Sequence, residues 1–194
     1  MTSQPSIHLK PLTPENWLDF VELFGERGAC GNCWCMSFRL SKKEFDQGKL
    51  NGMNKSAMYE LVHSAEHTGL LAYLNNEPIA WIALSPRSEF KRLAYSRVHK
   101  PIDQSHVWSI PCFFISKPYQ KIGLSTHLIS LTIKYAEQNN IGILEAYPNK
   151  TAEKKLPAAF LWTGMLSSFL KAGFKIVDET SVSRPTVRYQ INSH

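Results

Sequence analysis

The sequence predicts a mixed α/β domain built in three layers, with helices on both faces of a sheet. Apolar residues recur at helical spacing in several segments, and short apolar runs bounded by Gly, Pro and Asn are typical of strands. In the second half of the chain the two kinds of segment alternate. A length of 194 residues suits one domain, so we expect residues 1–194 to fold as a unit.

Two helices are expected before the first strand. The first follows Thr13, a favoured N-cap residue, and Pro14, which suits the first helical position. Its apolar face recurs at the helical period through Trp17, Phe20, Val21 and Phe24. A Cys-rich loop is expected over residues 28–36, and a second helix over residues 55–67.

An antiparallel hairpin comes next. Apolar runs at residues 70–74 and 79–84 flank a turn of Asn, Asn, Glu and Pro. Residues 85–105 are polar, so we expect a long and partly irregular connection there. Residues 107–115 are strongly apolar and predict a buried strand, and Pro111 inside them demands a bulge or a break.

The rest of the chain alternates between helix and strand. A helix follows Gly123, and its apolar face comprises Leu124, Leu128, Leu131, Tyr135 and Ala136. The later expected elements are a strand at 143–147, a helix at 164–172 and strands at 174–177 and 186–191.

Charge and hydropathy exclude several classes of function. Lys and Arg outnumber Asp and Glu by 22 to 16, a formal charge of +6, but they are scattered, so we expect no nucleic-acid partner. No stretch approaches the roughly 20 apolar residues of a membrane span, and residues 1–10 lack the apolar core of a signal peptide. We therefore expect a cytoplasmic protein without membrane contact, whose four cysteines are reduced thiols.

The strand, turn and helix at residues 107–139 carry the chemistry. The first turn of a helix has free N–H groups and the positive end of the helix dipole, so it can hold an anion. Gly123 lets the backbone approach that anion closely, and Lys117 and Lys121 add positive charge. The residues predict a phosphate or pyrophosphate site, with an ordinary strand-to-helix turn as the alternative.

This turn also resembles a known signature. The run from Gln120 to Ser125, QKIGLS, is similar to the pyrophosphate-binding signature of the GNAT acetyltransferase superfamily. Residues 169–174, FLKAGF, are similar to a later segment of that family, and the order of elements also matches. Residues 33–36 and 107–114 resemble a poorly characterised bacterial branch of it.

The resemblance implies a fold, a reaction and a cofactor site. It implies a three-layer α/β/α acyl-CoA N-acyltransferase fold with a mixed, centrally splayed sheet. It also implies transfer of an acetyl group from acetyl-CoA to an amine by direct attack, without a metal. The residues that it assigns to acetyl-CoA are Phe113, Phe114 and Ile115 for the pantetheine arm, Gln120, Lys121, Ile122, Gly123, Leu124, Ser125 and Thr126 for the pyrophosphate, and Phe169 for packing.

The groups that handle protons are less obvious. Many family members carry a Tyr at the position of Phe169 that protonates the leaving thiolate, and Phe cannot do so. We hypothesise Glu145 as the general base or amine anchor and Tyr147 as the acid, because residues two apart on a strand share a face. A structural ion pair is an equally good interpretation of Glu145.

Other functions stay open at this point. The same fold could serve as a non-catalytic acyl-CoA sensor, which the Phe at residue 169 favours. The cluster of Cys30, Cys33 and Cys35 could hold zinc, but a second pair of ligands is missing, so we expect no metal. The His63–His67 run matches a zinc-peptidase pattern only formally. The expected acceptor is a small-molecule or peptide amine, and a homodimer is not excluded.

Overall fold

The computed structural model describes residues 6–64, 67–120, 123–150 and 162–191. Strands and helices alternate through most of this part of the chain. The strands are His8–Pro11 (β1), Gly69–Leu74 (β2), Glu77–Ala83 (β3), Ser85–Pro86 (β4), Trp108–Ile110 (β5), Phe113–Ile115 (β6), Ile143–Ala146 (β7), Lys175–Asp178 (β8) and Thr186–Gln190 (β9). The α-helices are Trp17–Phe24 (α1), Lys42–Asn51 (α2), Met53–Ser64 (α3), Lys91–Ala94 (α4), Leu124–Gln138 (α5) and Leu166–Lys171 (α6).

The strands form two sheets that meet at a strand break. One sheet has the order β1-β2-β3-β6, and the other has the order β4-β5-β7-β9-β8. The β5–β7 pair is parallel, and the other pairs are antiparallel. Both β5 and β6 come from the one apolar run that contains Pro111. The expected interruption is confirmed there, because β5 pairs with β7 while β6 pairs with β3.

Helices cover both faces, which confirms the three-layer prediction. The hairpin of β2 and β3 shows why, because its successive residues point to opposite faces. Leu70 and Ala72 pack into the same core as α5 and α6, whereas Leu71 and Tyr73 pack into the core with α1 and α3. The sheet is therefore buried on both sides, and its central strands are apolar throughout.

The sequence patterns did not predict several helices and strands of the structure. The sequence patterns predicted neither β1 nor α2, although Ser41 and Glu44 form a capping box at the start of α2. The helix expected over residues 55–67 is α3, which begins at Met53 and extends to Ser64, and Ala65 and Glu66 lie outside the described residues. The connection expected to be irregular contains α4 and a short 3₁₀ turn.

The buried face of α5 is wider than its pattern predicted. It adds Ile129, Thr132 and Ile133 to the predicted Leu124, Leu128 and Ala136, whereas Leu131 is only half-buried. The extra width arises because α5 packs against a sheet rather than against a single partner helix. Within the four described ranges, no helix is long and apolar enough to cross a membrane.

Candidate functional site

The outer edge of β6 carries backbone groups that do not pair with β3. In an antiparallel pair, the N–H and C=O groups of alternate residues point toward and away from the partner strand. The Ala83 N–H donates to the Cys112 carbonyl, and the Ser116 N–H donates to the Ile79 carbonyl. Phe114 lies opposite Trp81, midway between these two positions, so its backbone groups also point toward β3. The backbone groups of Phe113 and Ile115 therefore point away from β3.

This edge faces the place where the two sheets separate. Beyond Ile110 and Ala146 the β5–β7 pairing ends, and β6 turns away to join β3. Residues 162–164 span the opening: the Phe113 N–H donates to the Trp162 carbonyl at 2.6 Å, and the Asn149 N–H donates to the Gly164 carbonyl at 2.9 Å. We call the opening between β6 and the end of β7 the slot.

The slot leads to the N-terminus of α5. Gly123 caps this helix with φ 77°, in the left-handed region that favours glycine, and no atom of the described residues lies within 4 Å of where a β-carbon would stand. Among the residues that the structure describes, no side chain caps the first turn, and the turn contains no acidic residue. The turn therefore offers free N–H groups to an anion at an open position.

Neighbouring residues fix the geometry of this turn. The Gln120 side-chain amide donates to the Ile115 carbonyl at 2.7 Å, which ties the turn to the last residue of β6. Leu124 is buried, and the hydroxyls of Ser125 and Ser168 lie 3.0 Å apart, which joins α5 to α6. Thr126 is half-buried in the first turn. Lys121 and Ile122, the two other residues predicted for this turn, lie outside the described residues.

Phe169 lies in the core on the α5 and α6 side. Its side chain is fully buried, with edge-to-face contacts to the rings of Phe113 at 5.7 Å and Phe174 at 5.0 Å between centroids. The ring also lies so close to Gly164 that a β-carbon there would be 2.8 Å from it. Phe169 therefore packs against Phe113, a residue of the strand that forms one side of the slot.

Glu145 and Tyr147 come together, as their spacing on one strand predicted. Tyr147 donates its hydroxyl to Glu145 Oε1 at 2.5 Å, and its oxygen lies 3.1 Å from Ser109 Oγ. Glu145 also accepts from Arg87 Nε at 3.3 Å and from Arg188 Nε at 2.8 Å. Both carboxylate oxygens are therefore occupied, in a side chain that is 1% exposed.

The network explains how a carboxylate tolerates burial. Two guanidinium groups compensate the charge of Glu145, and Asp103 compensates Arg188 in turn at 2.6 Å. Burial and the adjacent carboxylate raise the pKa of Tyr147 well above its usual value, so its phenol is protonated at neutral pH. The geometry favours an ion pair for Glu145, and it leaves Tyr147 as a protonated donor at the end of β7.

His99 is a member of this cluster that the sequence patterns missed. Its ring lies 4.7 Å from the ring of Tyr147, and its carbonyl accepts from Arg87 Nη2 at 2.6 Å. Its Nδ1 lies 3.4 Å from Thr186 Oγ1, and Nε2 is buried without a hydrogen-bond partner among the described residues. Burial, together with the charge of Arg184, lowers the pKa of His99 to about 4. A histidine inside a polar connection gives no periodic signal, so only the tertiary contacts reveal it.

Comparison with known proteins identifies the family. The model of the acetyltransferase (GNAT) family matches residues 35–159, which is more than half of the chain. The chain belongs to the GNAT acetyltransferase family. No curated protein sequence matches it closely enough to count as a relative.

Solved structures share the GNAT fold with this chain. The PaiA N-acetyltransferase of Thermoplasma acidophilum, in complex with coenzyme A, is 15% identical with a TM-score of 0.52, over 95% of this chain and 99% of that one. An uncharacterised protein of Bacillus halodurans is 14% identical with a TM-score of 0.59, over 95% and 83%. AAC(6')-Ib, bound to ribostamycin and coenzyme A, is 14% identical with a TM-score of 0.56, over 95% and 93%. Identities this low show the fold alone.

The cysteines of this GNAT chain divide by burial. Cys30 is exposed, Cys33 is half-buried, and Cys35 and Cys112 are buried. Burial and the nearby Cys35 raise the pKa of Cys33 to about 11. No three His, Cys, Asp or Glu side chains in the described ranges are arranged to hold a metal ion.

Elemental analysis checks the expectation that no zinc is bound. Protein purified without chelators should contain far less than one zinc per chain, because the cysteines lack a second pair of ligands. The measurement is atomic emission on a sample of known concentration. About one zinc per chain, lost in a Cys33→Ser variant, would contradict the expectation.

The burial of His99 predicts a loss of stability in acid. The folded protein keeps His99 neutral down to about pH 4, whereas the unfolded chain binds this proton below about pH 6.5. The free energy of unfolding should therefore fall as the pH drops from about 6.5 to 4, by on the order of 1–3 kcal/mol from this group. Four charged residues also affect the pKa of His99, and the test leaves them unchanged: Arg184, Asp178, Glu145 and Arg87.

Urea unfolding of a His99→Phe variant at pH 7 and pH 4.5 measures this contribution. The variant keeps an aromatic ring beside Tyr147 but cannot bind the proton, so its stability should change less between the two pH values than that of the wild type. A His106→Phe variant, at an exposed histidine, is the control and should behave like the wild type. Equal pH dependence in the His99→Phe variant and the wild type would refute the assignment.

Proposed function

We propose that residues 1–194 form a single acyltransferase domain that transfers an acetyl group from acetyl-CoA to the amine of a small molecule or peptide. The observation that carries the proposal is the outward-facing edge of β6, followed along the chain by the N-terminus of α5 with Gly123 as its N-cap. Membership of the GNAT family supports acyl transfer in general. The coenzyme A bound to two structural neighbours supports the choice of donor.

The residues fit the two chemical parts of coenzyme A. A pantetheine arm carries amide groups, and the Phe113 carbonyl and the Ile115 N–H point from the edge of β6 toward such a partner, as in a β-ladder. The pyrophosphate is an anion, and the amides that follow Gly123, in Leu124, Ser125 and Thr126, suit it. The exposed Lys117 adds a positive charge nearby. Phe114 points to the other face and contacts the ring of Phe24.

The slot then holds the reacting groups. Acetyl-CoA supplies a thioester; when a neutral amine attacks its carbonyl carbon, a C–N bond forms, the C–S bond breaks and the CoA thiol leaves. The chain contributes by orienting the two reactants and by excluding water. The backbone N–H of Phe113 lies at the slot and donates to the Trp162 carbonyl. When this hydrogen bond opens, the N–H is a group of the kind that stabilises a developing oxyanion.

We propose that Tyr147 is the acid that protonates the leaving thiolate, and that Glu145 handles the amine proton or holds Tyr147 in place. Tyr147 is protonated at neutral pH and lies at the end of β7, beside the slot. Glu145 already accepts hydrogen bonds from Tyr147, Arg87 and Arg188. One of these bonds must therefore break before Glu145 can act as a base.

A non-catalytic acyl-CoA sensor is the second candidate function. Three observations favour it: Phe169 has no hydroxyl, Glu145 is fully hydrogen-bonded, and the Phe113 N–H is occupied. Incubation with acetyl-CoA and a panel of amines, with release of free thiol as the readout, separates the two functions. Binding of coenzyme A without thiol release from any amine would favour the sensor.

A Gly123→Glu variant tests the anion site. The new carboxylate adds bulk and negative charge beside the first turn of α5, so coenzyme A affinity should fall by roughly a hundredfold or more. Isothermal titration calorimetry measures it. Gly52→Glu is a matched control, because Gly52 has the same φ of 77° and the same open surroundings but lies between α2 and α3. Unchanged affinity in the Gly123→Glu variant would remove the basis of the proposal.

A Tyr147→Phe variant tests the acid. It should lower turnover by roughly 10²–10⁴-fold while coenzyme A affinity stays nearly unchanged, and Glu145→Gln should lower turnover by a similar factor. Tyr73→Phe is the control: it also removes a buried phenol that donates to a carboxylate, at 2.6 Å from Asp19, but it lies away from the slot.

Stability measurements distinguish the chemical role from a structural one. Removing one partner of a buried ion pair costs about 3–5 kcal/mol, so Glu145→Gln should also lower the free energy of unfolding. If both variants lose stability but keep normal turnover at a temperature where they are folded, the two residues are structural and the thiolate takes its proton from water.

A further inference from the structure

Cys35 is placed by a strained backbone against an indole donor. Trp34 and Cys35 have φ values of 45° and 59°, a region that residues with a β-carbon rarely adopt. The Cys35 Sγ accepts a hydrogen bond from Trp81 Nε1 at 3.0 Å, and both side chains are buried. The fold therefore maintains backbone strain at the position that brings this sulfur to the indole N–H.

Arg39 is a buried cation that forms no ion pair with a carboxylate in the described part of the chain. Arg39 is 4% exposed, and its Nη2 donates to the Thr68 carbonyl at 2.8 Å and to Ser85 Oγ at 2.6 Å. Its Nε and Nη1 have no hydrogen-bond partner among the described residues. A buried guanidinium is costly unless a negative charge compensates it. Burial lowers the pKa of the Arg39 guanidinium, and the buried Cys35 and the exposed Glu89 act in the opposite direction.

A second thiol belongs to the same cluster. Cys112 packs with Cys35 and Trp81 in the core beneath α1 and α3. Its carbonyl accepts from the Ala83 N–H, which places Cys112 beside β3 on the face that carries Trp81. The Cys112 thiol and the Trp81 indole lower the pKa of Cys35 against the opposing effect of burial, and the same contact raises the pKa of Cys112. The two thiols thus interact with each other, and the Trp81 indole donates a hydrogen bond to the sulfur of Cys35.

We propose that Cys35 is an oxidant-reactive thiolate, compensated by Arg39 and Trp81, and that Cys112 is its resolving thiol in a reversible disulfide. The reactant is a small hydroperoxide such as hydrogen peroxide, since both thiols are largely buried. The exposed Cys30 and the half-buried Cys33 are not part of the pair.

The reaction balances with the peroxide as the oxidant. The Cys35 sulfur attacks one oxygen of hydrogen peroxide, the O–O bond breaks, hydroxide leaves, and Cys35 becomes a sulfenic acid. The Cys112 sulfur then attacks the Cys35 sulfur, an S–S bond forms, and the sulfenic oxygen leaves as water with the Cys112 proton. The two thiols lose two electrons, which reduce the peroxide, and an added dithiol returns them by exchange.

Peptide mapping tests the site directly. Reduced protein is treated with hydrogen peroxide under native conditions, then unfolded, alkylated and digested for mass spectrometry. The expected product is a Cys35–Cys112 disulfide that dithiothreitol reverses, with Cys30 and Cys33 recovered largely alkylated. Recovery of alkylated Cys35 and Cys112 while Cys30 is oxidised, or a Cys33–Cys35 disulfide, would overturn the proposal.

Variants test which thiol reacts first and why. In Cys112→Ser, dimedone should trap a sulfenic acid on Cys35, and the absence of that adduct would overturn the assigned order. Trp81→Phe removes the indole donor and keeps an aromatic ring, so oxidation of Cys35 should slow by roughly tenfold. Cys30→Ser is the matched control and should oxidise at the wild-type rate. An unchanged rate in Trp81→Phe would contradict the role of the indole.

A regulatory consequence rests on the proposed function. Cys112 immediately precedes Phe113, so a covalent link from Cys112 to Cys35 acts on the edge strand that we propose binds pantetheine. Coenzyme A affinity should therefore fall on oxidation and recover with dithiothreitol, as measured by calorimetry. A mapped disulfide with unchanged coenzyme A affinity would refute the regulation and leave the modification site intact, whereas no binding in either state would point to failure of the proposed function.

Discussion

Pro111 has no N–H to donate, so the chain between β5 and β6 cannot continue a regular ladder at this residue. The strand that pairs with β7 up to Ile110 resumes at Phe113 as a partner of β3. The slot and the outward-facing edge of β6 both follow from this change of partner. A continuous strand would have hydrogen-bonded its whole edge to the end of β7 and closed the sheet.

The two sides of the slot are held by different forces. On the side of β6, packing dominates: Phe169 supports Phe113 from one core, and Phe24 contacts Phe114 in the other. On the side of β7, charge dominates, since Glu145 at the centre of three hydrogen bonds fixes Tyr147. Packed aromatic rings hold the position of β6, whereas the charged network fixes the orientation of one polar side chain. Both suit a site that must hold a flexible ligand in one register.

A cluster of aromatic and cysteine side chains, which includes Phe20, Phe24, Trp81, Cys35 and Cys112, packs against one face of β3. Trp81 is fully buried and contacts Phe20 and Phe24 of α1 through its ring, while its N–H reaches Cys35. The ring of Trp81 thus packs in the core, while its N–H group donates a hydrogen bond to the sulfur. Cys112 belongs to this cluster and directly precedes β6 in the chain. The cluster is therefore connected through the backbone to the strand that forms one side of the slot.

The sequence by itself determined the features that depend on neighbouring residues. The hairpin, the break at Pro111 and the turn at Gly123 follow from local backbone chemistry, and the apolar faces of α1 and α5 follow from periodicity. Only the tertiary structure decided the partners of the polar groups. Arg87 and Arg188 reach Glu145 from 58 and 43 residues away, and Trp81 reaches Cys35 across 46 residues. A sequence pattern records which side chains need a partner, but sheet pairing and packing choose that partner among distant groups, because hydrogen bonds and ion pairs act only over a few ångströms.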